Sequence, residues 1–195
     1  MPRKSSRAQW AEHIRSGKLG QAKKPNMPVP AAREAFKGIV LGIDPSLRGT
    51  GLAVLKMESA RKGKLIASET VTPPKKAGLP ECLGCIAEAV ERLIQEHRPA
   101  VVAIEETIYV QNFRTAQKLG AARGAAIGQA ALRHIPVFEY PPLRIKQAVA
   151  GYGRASKEQV TRQMSALLSL PEDLPFDEAD AAAVALCHAW TGGSL

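Results

Sequence analysis

Two apolar runs that each end in a carboxylate do most to constrain how this chain can fold. Residues 39–43 contain no polar side chain and lead into Asp44, and residues 100–104 have the same character and lead into Glu105. A continuous apolar run of this length is typical of a strand that is buried on both faces. The sequence therefore predicts a sheet with helices packed on both sides.

The segments around these two strands show alternating strand and helix patterns. Two further strands, over residues 52–57 and 64–72, follow the first run across turns rich in Gly and Lys, which predicts an antiparallel meander. The apolar spacing later in the chain predicts a helix over 80–97, a helix over 113–133 capped by Asn112, a strand over 136–140, a helix over 143–150, a helix from Ser156 to Leu168, and a last helix opened by Asp177. The expected fold class is α/β, a mixed sheet with an antiparallel meander and parallel strands, flanked by helices.

The positive charge of the chain is concentrated at its N-terminus. Residues 1–37 contain nine Lys and Arg against two Glu, a net of +7 out of +9 for all 195 residues, together with four prolines. This composition predicts a flexible basic arm over 1–37 joined to one domain over 38–195. Such an arm favours a polyanionic partner, and a solvated tail is the alternative.

The sequence also limits the cellular compartment and the role of its cysteines. No segment approaches the roughly 20 apolar residues of a membrane span, and no apolar leader follows the N-terminal charges. We expect a cytoplasmic protein, with an organellar transit peptide as the alternative. Cys82 and Cys85 form a CxxC that only Cys187 and His188 could complete as a zinc site, so reduced thiols one helical turn apart are favoured.

The carboxylates at the two strand ends have the same local pattern. Gly42 lies two residues before Asp44, and Ala103 two residues before Glu105, so each small residue shares a strand face with its acid. Acids at the ends of parallel strands meet at the carboxyl edge of the sheet. The alternation favours Glu105 over Glu106, whose side chain faces the opposite way.

The last helix adds two more carboxylates. Asp177 and Asp180 are spaced i and i+3 and share one helical face, whereas Glu178 lies about a quarter-turn away. Four such acids at one place would repel one another unless a cation joins them. Acids without clustered His or Cys favour Mg²⁺ or Mn²⁺, and two such ions could support phosphodiester hydrolysis. The alternatives are a turn at Asp44 and a helix cap at Asp177.

The order and spacing of these segments resemble the RuvC-type Holliday-junction resolvases of the RNase H-like superfamily. The resemblance extends from about residue 38 to residue 190. Its motifs are Leu-Gly-Ile-Asp-Pro at 41–45 with Thr50-Gly51, Ala-Ile-Glu at 103–105, Lys-Leu-Gly-Ala-Ala-Arg-Gly at 118–124, Val-Phe-Glu-Tyr at 137–140, Lys-Gln-Ala-Val-Ala-Gly at 146–151, Ser-Lys at 156–157 and Asp-Glu-Ala-Asp-Ala at 177–181.

The resemblance implies a bacterial, metal-dependent DNA endonuclease that acts as a homodimer on four-way junctions in recombination and repair. A branch-migration motor is a further partner that it suggests. By position, the metal-binding and catalytic acids are Asp44, Glu105, Asp177 and Asp180. The residues expected to contact DNA are Lys118, Arg123, Lys146, Lys157 and Tyr109.

Two positions depart from the family pattern. Ser46 stands where the family usually has Gly, and Ile108, next to Tyr109, stands where it often has an aromatic residue. Three alternatives to a junction nuclease remain at this point: a junction-binding protein without catalysis, an RNase H-like nuclease for RNA or RNA–DNA hybrids, and a structural zinc protein.

Three glycines recur at four-residue spacing on the helix predicted over 113–133. Gly120, Gly124 and Gly128 each lower helix propensity by about 1 kcal/mol relative to Ala, so a close approach by another backbone is the expected reason for them. They would pack either on the sheet of the same chain or on a second subunit.

Overall fold

The computed structural model describes residues 36–59, 62–107, 112–150, 164, 168 and 174–192. In these ranges the chain forms five strands and four helices. They are β1 (Gly38–Asp44), β2 (Thr50–Ser59), β3 (Lys62–Val71), α1 (Leu79–His97), β4 (Val101–Glu105), α2 (Phe113–Ala131), β5 (Val137–Tyr140), α3 (Pro142–Ala150) and α4 (Phe176–Thr191).

The strands form one mixed sheet in the order β3-β2-β1-β4-β5. β2 is antiparallel to β1 and to β3, while β4 is parallel to β1 and to β5. This confirms the predicted meander and the predicted parallel strands. It also follows that β1, β3, β4 and β5 all end at the same edge of the sheet, here called the carboxyl edge.

Each face of the sheet is covered by helices, as the apolar runs predict. Ile43 and Ile104 belong to the buried cluster that α1 and α2 form with one face. Val40 and Ala103 belong to the cluster that α3 and α4 form with the other face. Neighbouring residues of a strand point to opposite faces, so Asp44 and Glu105 lie on the α4 side, opposite the two isoleucines.

Helix α4 rests directly on the backbone of the sheet. A Cβ atom at Gly42 would lie 2.1 Å from the carbonyl oxygen of Ala181 and 2.8 Å from Cβ of Ala185, and one at Gly51 would lie 1.9 Å from the carbonyl oxygen of Asp177. These glycines, together with an inner helix face that is mostly alanine, allow the helix and sheet to approach closely. The small residue two positions before Asp44 therefore has a packing reason.

The predicted helix boundaries agree closely with the structure where it describes them. Asn112 caps α2, because its Oδ1 accepts hydrogen bonds from the backbone N–H groups of Arg114 (3.0 Å) and Thr115 (3.3 Å). The basic arm falls almost wholly outside the described residues, as does most of the helix predicted from Ser156 to Leu168. Of that helix, Met164 and Leu168 are described, and both are helical and buried.

Several open alternatives are decided by the structure. Pro175, not Asp177, is the N-cap residue of α4, so the capping interpretation of Asp177 is wrong. Among the residues that the structure describes, nothing lies within 4 Å of a Cβ added at Gly120, Gly124 or Gly128, which excludes close packing on the sheet of the same chain. A membrane-spanning helix is likewise not found in the described part of the chain, where every helix is too short or too polar.

The cysteines do not come together as a zinc site would require. Cys82 and Cys85 lie on α1 and are free thiols, as predicted. Cys82 is buried beneath that helix, whereas Cys187 is buried in the α4 cluster on the other side of the sheet. Since a closed zinc site needs its ligands within about 2.3 Å of one ion, the zinc interpretation is excluded.

Candidate active site

A cavity of about 290 Å³ opens at the carboxyl edge of the sheet. It brings together three of the four predicted acids and one predicted basic residue. Its walls are formed by Asp44, Glu105, Pro142, Ile145, Lys146, Asp180 and Ala183. Residues from four separate elements, β1, β4, α3 and α4, therefore meet at a single site.

The sheet register explains how two of these acids become neighbours. Gly42 is paired with Ala103 and Ile43 with Ile104 across the parallel strands β1 and β4. Asp44 and Glu105 are the next residues along, so their Cα atoms lie about one strand spacing, roughly 5 Å, apart. Both are partly exposed, where the buried strands reach solvent.

Helix α4 supplies the third acid of the cavity and places the fourth beside it. Asp180 lines the cavity, one residue before the position where α4 touches Gly42. Asp177 lies one turn earlier and is not part of the cavity wall. Its Oδ2 is 3.1 Å from where a Cβ of Gly49 would be, in the turn that follows β1. Asp177 is also in the first turn of α4, where the helix dipole stabilises a negative charge.

The two neighbouring acids that the sequence pattern disfavoured do lie elsewhere. Glu178 faces β3, where its carboxylate accepts hydrogen bonds from Ser68 Oγ (2.5 Å) and Thr70 Oγ1 (3.4 Å). Glu106 is exposed, and its backbone N–H donates to the carbonyl oxygen of Tyr140 at 2.9 Å. Strand alternation thus distinguished Glu105 from Glu106. Helical spacing set Glu178 apart correctly, but of the two acids that it favoured only Asp180 lines the cavity.

The turn between β1 and β2 is closed by a buried threonine. The hydroxyl of Thr50 accepts a hydrogen bond from the backbone N–H of Ser46 at 3.1 Å and donates to the Ser46 carbonyl oxygen. Both bonds use the main chain of Ser46, so they form equally well with Gly or Ser there. The departure at position 46 therefore leaves this turn intact.

Lys146 is the predicted basic residue that the structure places best. It shares one face of α3 with Pro142 and Ile145, which also line the cavity, and Ile145 and Val149 anchor that helix in the α4 cluster. Sequence reasoning missed Pro142 and Ile145, although the i, i+3, i+4 spacing to Lys146 would have identified them.

The other predicted DNA contacts lie away from the cavity or outside the described residues. Lys118 is exposed on α2. Arg123, on the same helix, is mostly buried and forms an ion pair with Glu139 of β5. Tyr109 and Lys157 fall among the residues that the structure does not describe, as does Ile108.

The donor atoms of the cavity fit a hard divalent cation. All three acids offer carboxylate oxygens, which Mg²⁺ and Mn²⁺ prefer over nitrogen or sulfur. Within the described ranges, no three acidic, His or Cys side chains already form a complete ligand set. An ion bound there would offset the mutual repulsion of the carboxylates of Asp44, Glu105 and Asp180.

The one buried histidine of the described chain takes no part in the cavity. Nδ1 of His188 lies 2.8 Å from the Tyr140 hydroxyl in a hydrogen bond, and the rings of Phe36 and Phe138 pack against the imidazole. Burial lowers the pKa of His188 to about 4, so the ring is neutral at physiological pH. Burial also raises the pKa of the neighbouring Cys187 thiol to about 11, which keeps it protonated. Both are core residues.

Comparisons of the sequence with a family model and with known proteins indicate the same family. The family model for crossover junction endodeoxyribonuclease RuvC matches residues 40–188. The RuvC of Halorhodospira halophila is 47% identical over 150 residues, which cover 77% of this chain and 89% of that protein. The RuvC of Alkaliphilus oremlandii is 43% identical over 155 residues, covering 79% of this chain and 94% of that protein.

Solved structures agree with this result. The structure of Thermus thermophilus RuvC in complex with a Holliday junction substrate superposes with a TM-score of 0.76 at 36% identity, covering 80% of this chain and 94% of that one. The yeast mitochondrial Holliday junction resolvase shares the fold at 15% identity, with a TM-score of 0.60. The mixed sheet with its flanking helices is thus an RNase H-like fold. The chain belongs to the RuvC family of crossover junction endodeoxyribonucleases.

Proposed function

We propose that this chain resolves four-way DNA junctions by metal-dependent hydrolysis at the cavity on the carboxyl edge. The observation that carries the proposal is the meeting of Asp44, Glu105, Asp180 and Lys146 in one cavity. The T. thermophilus relative, which the chain covers almost completely, has been solved with a Holliday junction substrate. DNA recombination and repair are the processes that such a reaction serves.

The proposed cofactor is Mg²⁺, with Mn²⁺ as a second suitable ion and two ions in each site. Asp44, Glu105 and Asp180 would hold them, together with Asp177, which lies one helical turn before Asp180. When bound, such ions activate the attacking water and stabilise the leaving oxygen of an in-line displacement. The rigid strand ends and the first turns of α4 would keep the carboxylates in place for this role.

Lys146 would bind the phosphate that is being cut. Lys146 lines the same cavity as the acids, so a phosphate bound there would meet a basic residue on the α3 side and the acids on the sheet side. Of the other proposed DNA contacts, Lys118 is exposed and accessible, whereas Arg123 must open or share its ion pair with Glu139 to reach a phosphate. We also propose DNA contacts by Lys157 and Tyr109, which rest on the family resemblance alone, and by the basic arm, which rest on its charge alone.

A homodimer is the proposed active unit. Separating a four-way junction requires two cuts, and a twofold substrate is naturally served by a twofold protein with a self-complementary interface. Gly120, Gly124 and Gly128 leave open space along α2, and a helix without side chains there permits close approach by a second helix. A branch-migration motor is proposed as a further partner on the family resemblance.

Incubating the purified chain with labelled four-way junction, linear duplex and RNA–DNA hybrid, with and without Mg²⁺, tests the function. We expect symmetric paired cuts in the junction only when Mg²⁺ is present. Binding of the junction without any cleavage would favour the non-catalytic alternative. Preferential cleavage of the hybrid would assign the chain to RNA-directed chemistry and contradict the proposal.

A further inference from the structure

A β-turn that carries two lysines is fastened to the turn that follows Asp44. The backbone N–H of Ala77 donates to the carbonyl oxygen of Pro74 at 2.9 Å, which closes the turn, and the residues between them are Lys75 and Lys76, both exposed. Nη1 of Arg48 donates to the Pro74 carbonyl oxygen at 2.7 Å, and Nη2 donates to the Ala77 carbonyl oxygen at 2.7 Å. One guanidinium group therefore holds both ends of the lysine turn.

The sheet register places this turn beside the cavity. Asp44 is paired with Gly51, and Gly51 with Thr70, so the three residues form one row across β1, β2 and β3 of roughly 10 Å. β3 ends one residue after Thr70, and the lysine turn follows within a few residues. The turn therefore lies at the carboxyl edge, on the β3 side of the acids.

Positive charge consequently lies on both sides of the carboxylates. Lys146 follows β5, at one end of the sheet order, and Lys75 and Lys76 follow β3, at the other end. A DNA strand that crosses the carboxyl edge with one phosphate in the cavity would pass Lys146 on one side and the lysine turn on the other. Phosphate charges recur along such a strand at a few ångströms per nucleotide.

The structure gives these lysines no evident packing role. Both lysines are exposed, and within the described part of the chain neither forms an ion pair with a carboxylate. Arg48, by contrast, donates hydrogen bonds from its planar guanidinium group to two carbonyl oxygens. These two bonds fix the direction of the turn. Immobilising so long a side chain costs conformational entropy, which the two hydrogen bonds must offset.

We propose that the lysine turn is a DNA-binding site that contacts phosphates flanking the scissile one, and that Arg48 is a positioning residue for it. This rests on the proposed function, since it assumes a DNA strand in the cavity. Lys75 and Lys76 supply the charge. Arg48 supplies no phosphate contact of its own and acts through the orientation of the turn.

Equilibrium binding of a four-way junction in EDTA, where no cleavage occurs, tests the first part. The variant Lys75→Gln/Lys76→Gln should bind about tenfold or more weakly at 0.1 M salt, and the slope of log K against log salt should fall by about 2, close to one per lost phosphate contact. The matched control is Lys56→Gln/Lys64→Gln. Those exposed lysines face each other across β2 and β3, about 20 Å from the carboxyl edge at the rise of a strand, and their loss should leave the slope nearly unchanged.

A double-mutant cycle tests the role of Arg48. Arg48→Gln should weaken junction binding in the wild-type background and have little effect once Lys75 and Lys76 are replaced. Additive losses would mean that Arg48 binds DNA directly, and this would overturn its positioning role. Equal losses for the lysine turn and the control pair, or no loss for either, would overturn the binding site. Circular dichroism and thermal unfolding of each variant separate these results from misfolding, and a wild-type chain that binds no junction would instead contradict the proposed function.

Discussion

Asp44 and Glu105 each occupy the last position of a buried strand, where the chain passes from the core to solvent. Their surroundings combine an apolar interior behind them with a cavity in front, so their charge is kept near protein atoms that solvate it poorly. Substitutions of these two acids therefore test the catalytic assignment most directly.

Replacing either acid by its amide should stop cleavage. We expect Asp44→Asn or Glu105→Gln to lower the rate of junction cutting in Mg²⁺ by at least about a hundredfold, a loss of roughly 3 kcal/mol of transition-state stabilisation. Junction binding should persist or tighten, because less negative charge would face the phosphate. The measurements are single-turnover cleavage and junction binding in EDTA.

Glu106→Gln is the matched control for these variants. Glu106 is adjacent to Glu105 but exposed and outside the cavity, so its replacement should leave the cleavage rate within about twofold of the wild type. Near wild-type cleavage by either cavity variant would show that the catalytic acids have been assigned wrongly.

The burial of His188 predicts a stability that depends on pH. Its pKa is lowered from 6.5 to about 4 in the folded chain, so the unfolded chain takes up a proton first as the pH falls. The contribution of the neutral ring is fully present above pH 6.5 and is lost between about pH 6.5 and pH 4, by up to roughly 3 kcal/mol. Urea unfolding of the wild type and of His188→Gln over this range measures it.

The difference in unfolding free energy between the wild type and His188→Gln isolates the effect of the histidine, because the carboxylates that titrate in the same pH range are common to both chains. We expect the free energy of unfolding of His188→Gln to fall less steeply between pH 6.5 and pH 4 than that of the wild type. Parallel curves would mean that the imidazole is accessible to protons in the folded chain, contrary to its 2% exposure.

At the scale of elements, the contact between α4 and the sheet determines where half of the proposed acids lie. No feature of the sequence near Asp177 and Asp180 fixes their distance from Asp44. That distance depends on how closely α4 approaches β1 and β2, and Gly42 and Gly51 set this approach.

Gly51→Ala should disrupt this contact. An added methyl group would lie 1.9 Å from the carbonyl oxygen of Asp177, a backbone atom of α4, so the helix must shift. We expect the free energy of unfolding to fall by about 1–3 kcal/mol or more, and we expect cleavage to be lost. Thermal unfolding and the junction assay measure the two effects.

Gly84→Ala provides the control for this substitution. Gly84 lies within α1, and nothing is within 4 Å of an added Cβ there. This change should stabilise the chain by about 0.5–1 kcal/mol through helix propensity and leave cleavage unchanged. A Gly51→Ala chain that is as stable and active as the wild type would show that the helix does not depend on this close contact.

The sequence allowed some of these elements to be predicted and not others, for a physical reason. The strands ending at Asp44 and Glu105 were predictable because apolar runs, alternation and the small residue before each acid are local signals. The bridge from Arg48 to residues 74 and 77 was not, since it joins positions 26 and 29 residues apart through main-chain carbonyls that have no sequence signature. The ion pair between Arg123 and Glu139 was missed for a similar reason.

For the whole molecule, the described part of the chain presents one proposed nuclease site to a substrate that requires two cuts. The open glycine face of α2 is on the opposite side of the sheet from α4, because α2 packs in the other buried cluster. A second subunit bound through that face would leave the cavity of each subunit accessible to DNA.

Gly124→Leu tests the dimer interface. Because no described residue lies within 4 Å of a Cβ added at Gly124, the folded monomer should keep its stability, whereas a leucine would hold two helices apart at a close interface. We expect light scattering at micromolar concentration to show a dimer for the wild type and a monomer for the variant, which should nick a junction once or not at all.

Gly84→Leu serves as the control, since Gly84 is also open but lies on α1. A dimeric Gly124→Leu chain would place the interface elsewhere. A monomeric wild type that still makes two near-simultaneous cuts would contradict the requirement for a dimer.

The contact of α4 with Gly42 also has a consequence for the length of the acid that the helix must carry. With only hydrogen atoms between helix and sheet at this position, the short side chain of Asp180 is sufficient to reach the cavity. A methyl group at position 42 would hold the helix farther away by about one carbon–carbon bond, ~1.5 Å. This distance is close to the length of the one methylene group by which Glu exceeds Asp. A residue larger than Gly at position 42 would therefore require Glu in place of Asp at position 180 for the carboxylate to reach the cavity.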